Sequence, residues 1–356
     1  MAAILGRVYQ TYHWLNVDLQ DERTKDWPLM SSPWPTLGLL VFYNYFVQSL
    51  GPRLMKDRKP FKLDGVLIVF NVVQILANIL CLYECLKHGW GGRYNWICEP
   101  FDRAITPENI TVARVVYGYF WLKVSDLLDT VFFVLRKKNG QVSFLHVYHH
   151  TGMVMLTWSA TKWLPGGHET FVGLINSVVH IIMYTYYLVT IVKPEQKNNI
   201  WWKKYLTQLQ MVQFFMIAFH SFLLLIQPKC DYPRWVPLVM IPQNGFLFLL
   251  FFDFYKKAYM NKKPEDMKIS NGKVANGKVT ENGTTNKIKN GFHKSNGSTE
   301  KIENGFYKKS NKKIENGFSP DIALRKVIEM GKCLVKLLKL KFLLNFTLLE
   351  LFSNLE

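Results

Sequence analysis

Apolar runs separated by short polar segments dominate the chain up to about Lys263. Seven of these runs approach the roughly 20 residues that an α-helix needs to cross a bilayer. They are Trp34–Leu50, Val66–Leu86, Ala113–Leu135, Ser143–Ala160, Val172–Val192, Leu206–Ile226 and Val236–Tyr255. The pattern therefore predicts an all-α multi-pass membrane protein, with seven transmembrane helices in residues 34–263.

Basic residues between the apolar runs predict the orientation, because positive side chains concentrate on the cytosolic side of a membrane. The loops after the first, third, fifth and seventh runs hold more of them than the other loops. Examples are Arg53, Lys56, Arg136, Lys203 and Lys256. We therefore expect residues 1–33 to form a lumenal N-terminal segment and the C-terminus to be cytosolic, which requires an odd number of spans.

The predicted lumenal loops contain a candidate glycosylation site and a candidate disulfide. The sequon Asn109-Ile110-Thr111 lies between the second and third runs, and it predicts a glycan on Asn109. Cys98 shares that loop, and Cys230 follows the sixth run. An oxidising lumen favours a Cys98–Cys230 disulfide. Two unrelated thiols remain the alternative.

The composition changes after Lys263. Residues 264–320 are rich in Lys, Asn and Gly and contain three near-copies of the sequence KI[EK]NGF. Such a segment cannot bury enough apolar surface to fold, so we predict that it is disordered. Residues 321–356 return to helical spacing and predict a basic amphipathic helix at the membrane surface. An extension without function is the alternative for this last part.

The chain has 356 residues, 49% of them hydrophobic, and a net charge of +18. A basic balance can indicate nucleic-acid binding, but no zinc-ligand spacing or RNA-binding aromatic motif accompanies it here. Lysines beside the membrane spans and in the tail explain the charge better. We therefore expect a lipid bilayer around the protein and exclude nucleic acid as a partner.

Polar residues recur at helical spacing inside four consecutive apolar runs. Such residues are costly at membrane depth and typically mark functional sites. If the four helices turned these faces toward one another, they would enclose a polar chamber. The residues are Lys123, Asp126, Asp129 and Thr130, then His146, His149 and His150, then Asn176, His180, Tyr184 and Tyr187, and finally Thr207, Gln210, Gln213 and His220.

Three kinds of chemistry fit the histidines. Membrane di-iron desaturases and hydroxylases share the HxxHH pattern of His146–His150, but they use more histidines and a separate HxxxH box, which this chain lacks outside that pattern. A single zinc ion is the smaller metal alternative. An imidazole nitrogen could instead accept an acyl group from a thioester. The third alternative is a non-enzymatic seven-span channel, although the broken helices of transporters are missing.

Four motifs, in order, resemble those of the very-long-chain fatty acid elongases, the animal 3-ketoacyl-CoA synthases of the endoplasmic reticulum. Lys123–Thr130 resembles the family's KxxExxDT, with Asp126 where Glu is more frequent. His146–His150 matches HxxHH, His180–Tyr187 matches HxxMYxYY, and Thr207–Gln213 matches TxxQxxQ. The sequence around HxxHH resembles the subgroup that acts on very long saturated and polyunsaturated chains.

The resemblance implies a fold and a reaction. Six of the seven helices would form an inverted barrel around a narrow acyl tunnel that is closed on the lumenal side. An acyl-CoA would condense with malonyl-CoA to a 3-ketoacyl-CoA two carbons longer, releasing CO₂ and CoA without a metal or another cofactor. The endoplasmic reticulum membrane is the implied location. The reductases and dehydratase of the elongation cycle, and other elongase subunits, are the implied protein partners.

The mechanism that we expect from these residues has two stages. His149 attacks the thioester and holds the acyl group, and the carbanion formed by decarboxylation of malonyl-CoA then attacks that group. The resemblance places His180 near the reacting carbons. His146 and His150 would set tautomers or shuttle protons, and Asp129 would orient an imidazole. The expected substrate-binding residues are Lys123, Asn176, Tyr184, Tyr187, Gln210, Gln213 and His220. The three amides among them would donate to a developing enolate oxygen.

Overall fold

A computed structural model describes residues 1–195 and 200–260, and within these ranges the protein is helical with no β-strand. Short π-helical segments of one turn prolong α1, α2, α4 and α9. The predicted disordered tail (264–320) and amphipathic helix (321–356) lie outside the described residues. The α-helices are α1 (Ala2–His13), α2 (Trp34–Tyr45), α3 (Gly51–Met55), α4 (Asp64–Cys85), α5 (Pro107–Leu135), α6 (Phe144–Trp163), α7 (Phe171–Val192), α8 (Ile200–Ile226) and α9 (Trp235–Tyr255).

Every predicted apolar run is helical in the structure. Four helical stretches are long and apolar enough to cross a membrane, namely Asp64–Trp90, His168–Val192, Trp202–Ile226 and Trp235–Met260. The helix α2 is shorter, and α5 and α6 are less apolar because they carry the ionisable residues of the predicted chamber. The protein is therefore an α-helical membrane protein.

The distribution of polar and apolar side chains is the reverse of that in a water-soluble protein. Leu80 on α4 is 60% exposed and Phe215 on α8 is 64% exposed. In contrast, Lys123 and Asp126 on α5 are each only 2% exposed. An apolar outer surface around buried charged groups is the arrangement expected when lipid is the solvent.

Contacts between the long helices follow a cyclic order. Helix α4 packs against α7, α7 against α8, α8 against α9, and α9 against α6. Helix α6 packs against α5, and α5 returns to α4. Helix α2 is outside this cycle and contacts α6. The cycle leaves an interior onto which α5, α6, α7 and α8 can direct their polar residues.

The N-terminal segment contains a helix, α1, that the apolar pattern did not indicate. The segment that follows is held against the end of α6 by buried hydrogen bonds. Lys162 Nζ donates to Gln20 Oε1 at 2.8 Å and to the Met30 carbonyl at 2.7 Å. Thr24 Oγ1 donates to the Thr161 carbonyl at 2.9 Å. These bonds fix one end of α6, the helix that carries the histidine cluster.

The structure joins Cys98 and Cys230 by a disulfide across 132 residues of sequence, with their Cα atoms 5.8 Å apart. The bond connects the loop before α5 to the segment between α8 and α9. The neighbouring Glu99 carbonyl accepts a hydrogen bond from the His168 N–H at 3.1 Å, just before α7. One loop therefore holds the ends of several helices together.

Replacing Cys98 with serine is expected to lower the free energy of unfolding by about 2–4 kcal/mol, because the long loop becomes free in the unfolded chain. The Cys230→Ser variant should lose the same amount, and the double variant no more than either single one. Thermal unfolding in detergent measures the loss of stability, and mobility on a non-reducing gel shows whether the disulfide is present. Cys85→Ser is the control, since Cys85 is a free thiol. Additive losses in the double variant would contradict the bond.

The structure gives Asn109 a role that conflicts with the predicted glycan. Asn109 is 8% exposed, and its Nδ2 donates to Asp102 Oδ2 at 2.7 Å and to the Ala104 carbonyl at 3.1 Å. The Ala104 N–H and the Asn109 amide hold the pKa of the Asp102 carboxyl below its usual value. A glycan would replace one Nδ2 hydrogen and need space around the nitrogen. The geometry therefore argues against glycosylation here.

We accordingly expect the protein from a eukaryotic membrane fraction to migrate identically before and after peptide-N-glycosidase treatment. The Asn109→Gln variant should show the mobility of the wild-type protein, because no glycan is lost. A known glycoprotein from the same membranes serves as the control for enzyme activity. A mass decrease that depends on Asn109 would restore the original prediction.

Candidate active site

The histidine cluster is positioned by the start of α6. Ser143 is the N-cap residue, and its Oγ accepts a hydrogen bond from the His146 N–H at 3.3 Å. Such a cap satisfies a backbone donor that the first helical turn leaves free. His146, His149 and His150 then follow on the first two turns, and the rings of His146 and His150 lie 4.2 Å apart.

A cavity of about 700 Å³ lies beside these turns, and we call it the proximal cavity. His149 is the only histidine among the described residues that line it. Asn176 from α7 and Gln213 from α8 contribute to its walls. The rings of Phe214 and Phe251 lie 6.1 and 6.5 Å from the His149 ring. In the described part of the chain, no hydrogen bond occupies a ring nitrogen of His149, so a nitrogen can meet a substrate.

Lys123 is the centre of a buried network behind this cavity. Its Nζ lies 2.8 Å from both Asp126 Oδ2 and Asn176 Oδ1, and 3.3 Å from His180 Nδ1. Tyr119 OH also donates to Asn176 Oδ1, at 2.8 Å. An ammonium group can only donate, so Nδ1 of His180 is the acceptor and the ring hydrogen lies on Nε2. Lys123 thereby sets the tautomer of His180.

Tyr184 connects the two carboxylates of α5. Its OH lies 2.9 Å from Asp126 Oδ1 and 2.7 Å from Asp129 Oδ2. Among the described residues Asp129 bonds to Tyr184, and Asp126 is the carboxylate beside His180, at 3.5 Å from Nδ1. Asp129 lies about 4.5 Å further along α5, a step of three residues, and this brings it to Tyr184.

Four residues expected to bind substrate lie outside the described lining of the proximal cavity. Lys123 is 2% exposed and Tyr184 is fully buried, and both are committed to the network. The ring of Tyr187 packs on that of Tyr184 at 6.0 Å. Gln210 Nε2 donates to Met183 Sδ at 3.8 Å. None of the four is among the described lining residues of the cavity.

His220 lies in a different part of the protein. Its Nε2 is 3.0 Å from the Trp96 carbonyl oxygen, and its ring stacks on that of His168 at 3.8 Å. His220 was expected to bind substrate with Gln213, but it is not among the described lining residues of the proximal cavity, since it lies seven residues beyond Gln213 and thus about 10 Å further along α8. His220 instead packs near the loop that holds the disulfide.

His146 and His150 stand next to a second polar chain. Thr130 Oγ1 lies 2.9 Å from His146 Nε2, and Tyr43 OH lies 2.7 Å from Thr130 Oγ1. Tyr43 was not among the predicted site residues, because α2 contains no motif. Within the described ranges, no three His, Cys, Asp or Glu side chains are grouped as metal ligands.

A second cavity of about 290 Å³ adjoins the first, and we call it the distal cavity. It is mostly apolar and is lined by α6 as far as Trp163 and Leu164. His149 and Trp163 are 14 residues apart, a helical rise of about 21 Å. The two cavities therefore lie one after the other beside α6. Their shared wall residues are Leu156, Ser159, Val172, Val239 and Met240.

Fold and site together define an α-helical membrane protein with a histidine at an elongated internal cavity. Residues 28–267 match the family described as ELO: GNS1/SUR4, and the chain belongs to this family. This result confirms the resemblance of the four motifs.

The match with each of three named relatives extends over most of that relative's length. A very long chain fatty acid elongase of Aedes aegypti is 46% identical over 268 residues, covering 74% of this chain and 73% of the relative. Very long chain fatty acid elongase 7 of Drosophila melanogaster is 41% identical over 262 residues (74% and 80%). Very long chain fatty acid elongase 4 of Homo sapiens is 40% identical over 279 residues (78% and 88%).

Proposed function

We propose that this protein, a fatty acid elongase by family, condenses a long-chain acyl-CoA with malonyl-CoA through an acyl-imidazole at His149. The products are a 3-ketoacyl-CoA two carbons longer, CO₂ and CoA. One observation carries the mechanism: among the clustered histidines, only His149 is a described lining residue of the proximal cavity, and no hydrogen bond in the described chain occupies its ring nitrogens.

The first step transfers the acyl group to the protein. A neutral imidazole nitrogen of His149 attacks the thioester carbonyl, the C–S bond breaks, and CoA leaves as a thiol with the proton that the imidazole releases. The aromatic rings of Phe214 and Phe251 and the apolar wall exclude water, which protects the acyl-imidazole from hydrolysis.

The second step forms the carbon–carbon bond. Loss of CO₂ leaves the bonding electron pair on the methylene carbon of malonyl-CoA, this carbon attacks the acyl carbon, and the bond to His149 breaks. The departing imidazole takes up one proton from the solvent, which is the proton that the overall condensation consumes. Asn176 Oδ1 already accepts from Lys123 and Tyr119, so its Nδ2 is directed to Gln213 Oε1, at 3.4 Å. The amide groups of Asn176 and Gln213 line the cavity and are suited to donate to the enolate oxygen.

The buried network prepares His180 for a different role from His149. Because Nδ1 of His180 accepts from Lys123, its Nε2–H is a donor and the ring is unsuited to attacking a carbonyl group. His180 is not among the described lining residues of the proximal cavity, whereas Asn176 on the same helix is, so Asn176 is the group of α7 that can reach the substrate. Asp126 lies beside the same nitrogen of His180 and balances the charge of Lys123. The proposal thus assigns the nucleophile to α6 and electrophilic assistance to α7.

Polar residues in the lining of the proximal cavity suit the polar part of an acyl-CoA. Asn44, Gln48, Gln243 and Asn244 lie among its lining residues, next to Ser143 at the start of α6. Basic residues in the loop between α5 and α6 can pair with the phosphates of CoA, because phosphate groups bind strongly to fixed cations. No metal or further cofactor is required by this scheme.

The membrane arrangement belongs to the same proposal. Seven helices span the bilayer, six of them form a barrel around the acyl path, and the N-terminus is lumenal with the C-terminus cytosolic. The cyclic contact order of α4 to α9 and the disulfide in loops assigned to the oxidising side support this arrangement. We place the protein in the endoplasmic reticulum, beside the reductases and dehydratase of the elongation cycle and other elongase subunits.

Microsomes that contain the protein, incubated with radiolabelled malonyl-CoA and a panel of acyl-CoAs, test the reaction. We expect labelled 3-ketoacyl products two carbons longer than each accepted substrate, and none from microsomes without the protein. Oxygen-dependent desaturation without extension would favour the di-iron alternative. Ion flux in reconstituted vesicles without an acyl product would favour the channel.

A further inference from the structure

A glutamate lines the distal cavity, where an acyl chain would ordinarily meet apolar walls. Glu169 Oε1 accepts a hydrogen bond from Ser221 Oγ at 2.8 Å. Its other oxygen, Oε2, has no donor in the described part of the chain, and no lysine or arginine there pairs with the carboxyl group. Oε2 of Glu169 is therefore available to accept a hydrogen bond from a ligand.

The contrast with Glu84, which lines the same cavity, is informative. Glu84 is paired with His88 at 3.2 Å, one turn further along the helix. A paired carboxylate has its partner within the protein, whereas an unpaired one inside an apolar cavity incurs a penalty that a ligand can relieve. Of these two carboxyl groups in the lining of the distal cavity, Glu169 is therefore the one that is free to form a hydrogen bond with a ligand.

The backbone around Glu169 is fixed. Gly167 has φ +71°, and a Cβ atom there would lie 2.8 Å from the ring of Tyr232 and 3.0 Å from the Pro100 carbonyl oxygen. Only glycine fits this close approach and this conformation. Thr170 Oγ1 accepts from Trp90 Nε1 at 3.0 Å and donates to the Gly167 carbonyl at 2.7 Å. The carboxyl group is consequently presented by a rigid turn.

The position of Glu169 matches the far end of a bound acyl chain. A chain attached at His149 and extended along α6 would pass the wall residues that the two cavities share, among them Leu156 and Met240, before it reached the distal cavity. Its terminal carbon then meets the cavity that Glu169 lines. A methyl terminus offers Oε2 no hydrogen bond, while a hydroxyl group offers one whether the carboxyl is ionised or protonated.

We propose that the distal cavity binds the terminal hydroxyl of an ω-hydroxyacyl chain through Glu169, so that ω-hydroxyacyl-CoA is a substrate class of this protein. The proposal rests on the elongase function given above. A site that hydrogen-bonds a substrate hydroxyl discriminates against the analogue lacking it, because the polar group of the protein is then left unpaired.

The test compares elongation of an ω-hydroxyacyl-CoA and of its methyl-terminated counterpart of equal length, in microsomes, as a ratio of kcat/KM values. For wild-type protein the ratio should exceed one. Glu169→Met, which replaces the carboxyl by an unbranched thioether, should lower it by about tenfold or more. Glu169→Gln can still form hydrogen bonds with a hydroxyl group and with Ser221. Its ratio should therefore fall between the ratio of the wild-type protein and that of Glu169→Met. Glu99→Gln is the matched control, since Glu99 accepts from the Asn95 N–H away from the cavity, and should keep the wild-type ratio.

A wild-type ratio below one would overturn the proposal without any variant, as would equal ratios for wild-type and Glu169→Met. If the Glu169→Met protein does not accumulate, Glu169→Gln takes its place: equal ratios for wild-type protein and Glu169→Gln would overturn the proposal, and a lower ratio for Glu169→Gln would support it. Failure of the elongase function is a different result, because neither substrate would then be extended by the wild-type protein.

Discussion

Replacing His149 with alanine is expected to reduce the rate of elongation by about a thousandfold or more, because loss of a covalent nucleophile removes the acyl intermediate. The intermediate itself can be measured. Wild-type protein incubated with an acyl-CoA labelled in the acyl chain, without malonyl-CoA, should retain label after acid quenching and release an equal amount of CoA. The His149→Ala variant should do neither.

The control for this experiment is His13→Ala. His13 is about half exposed in α1, next to Asp18, and has no contact with either cavity. It should elongate and retain label like wild type. A correctly folded His149→Ala protein that forms product at a near-normal rate would disprove the covalent step, and the reaction would then need direct attack on the bound thioester.

The second large effect is expected at Lys123. Changing Lys123 to methionine leaves Asp126 as a buried carboxylate without its cation, and breaking a buried ion pair in this way typically costs about 3–5 kcal/mol. It also removes the donor that sets the tautomer of His180. We therefore expect both a lower melting temperature in detergent and a loss of elongation.

A second substitution separates these two effects. Adding Asp126→Leu to Lys123→Met removes the unpaired charge, and well-packed apolar replacements of buried pairs are often neutral for stability. The double variant should therefore recover much of the melting temperature but none of the activity, because His180 still lacks its hydrogen-bond donor. Lys87→Met, at an exposed position, is the control. A Lys123→Met protein with unchanged melting temperature and activity would contradict the role of the network.

The apolar pattern was sufficient to predict the long helices, because each of them contacts lipid on one side and other helices on the other, so that both sides are largely apolar. The runs that predicted spans all became helical, with changes only at their ends, such as the start of α5 at Pro107 rather than Ala113. Helix α1 was missed, since its apolar side chains are scattered among polar ones and most of it is exposed. Local helix formation there needs no continuous apolar run.

Spacing along a helix placed the site residues on common faces but could not distinguish one turn from the next. Asp126 and Asp129 share a face of α5, yet only Asp126 reaches His180, because α7 brings Tyr184 to the position of Asp129. Likewise, Gln213 and His220 share a side of α8 but lie about 10 Å apart along it, so they contact different groups.

The sequence by itself determined the family, the helical segments and the set of ionisable residues that had to be buried, because each of these depends on residue types and short-range spacing. The tertiary structure decided which of those residues lines a cavity, which ones hold its walls, and that Asn109 is engaged in hydrogen bonds. It also revealed Glu169, which belongs to no motif and acquires its significance only from the apolar cavity around it. The physical reason is that accessibility and hydrogen-bond partners depend on neighbours supplied by other helices.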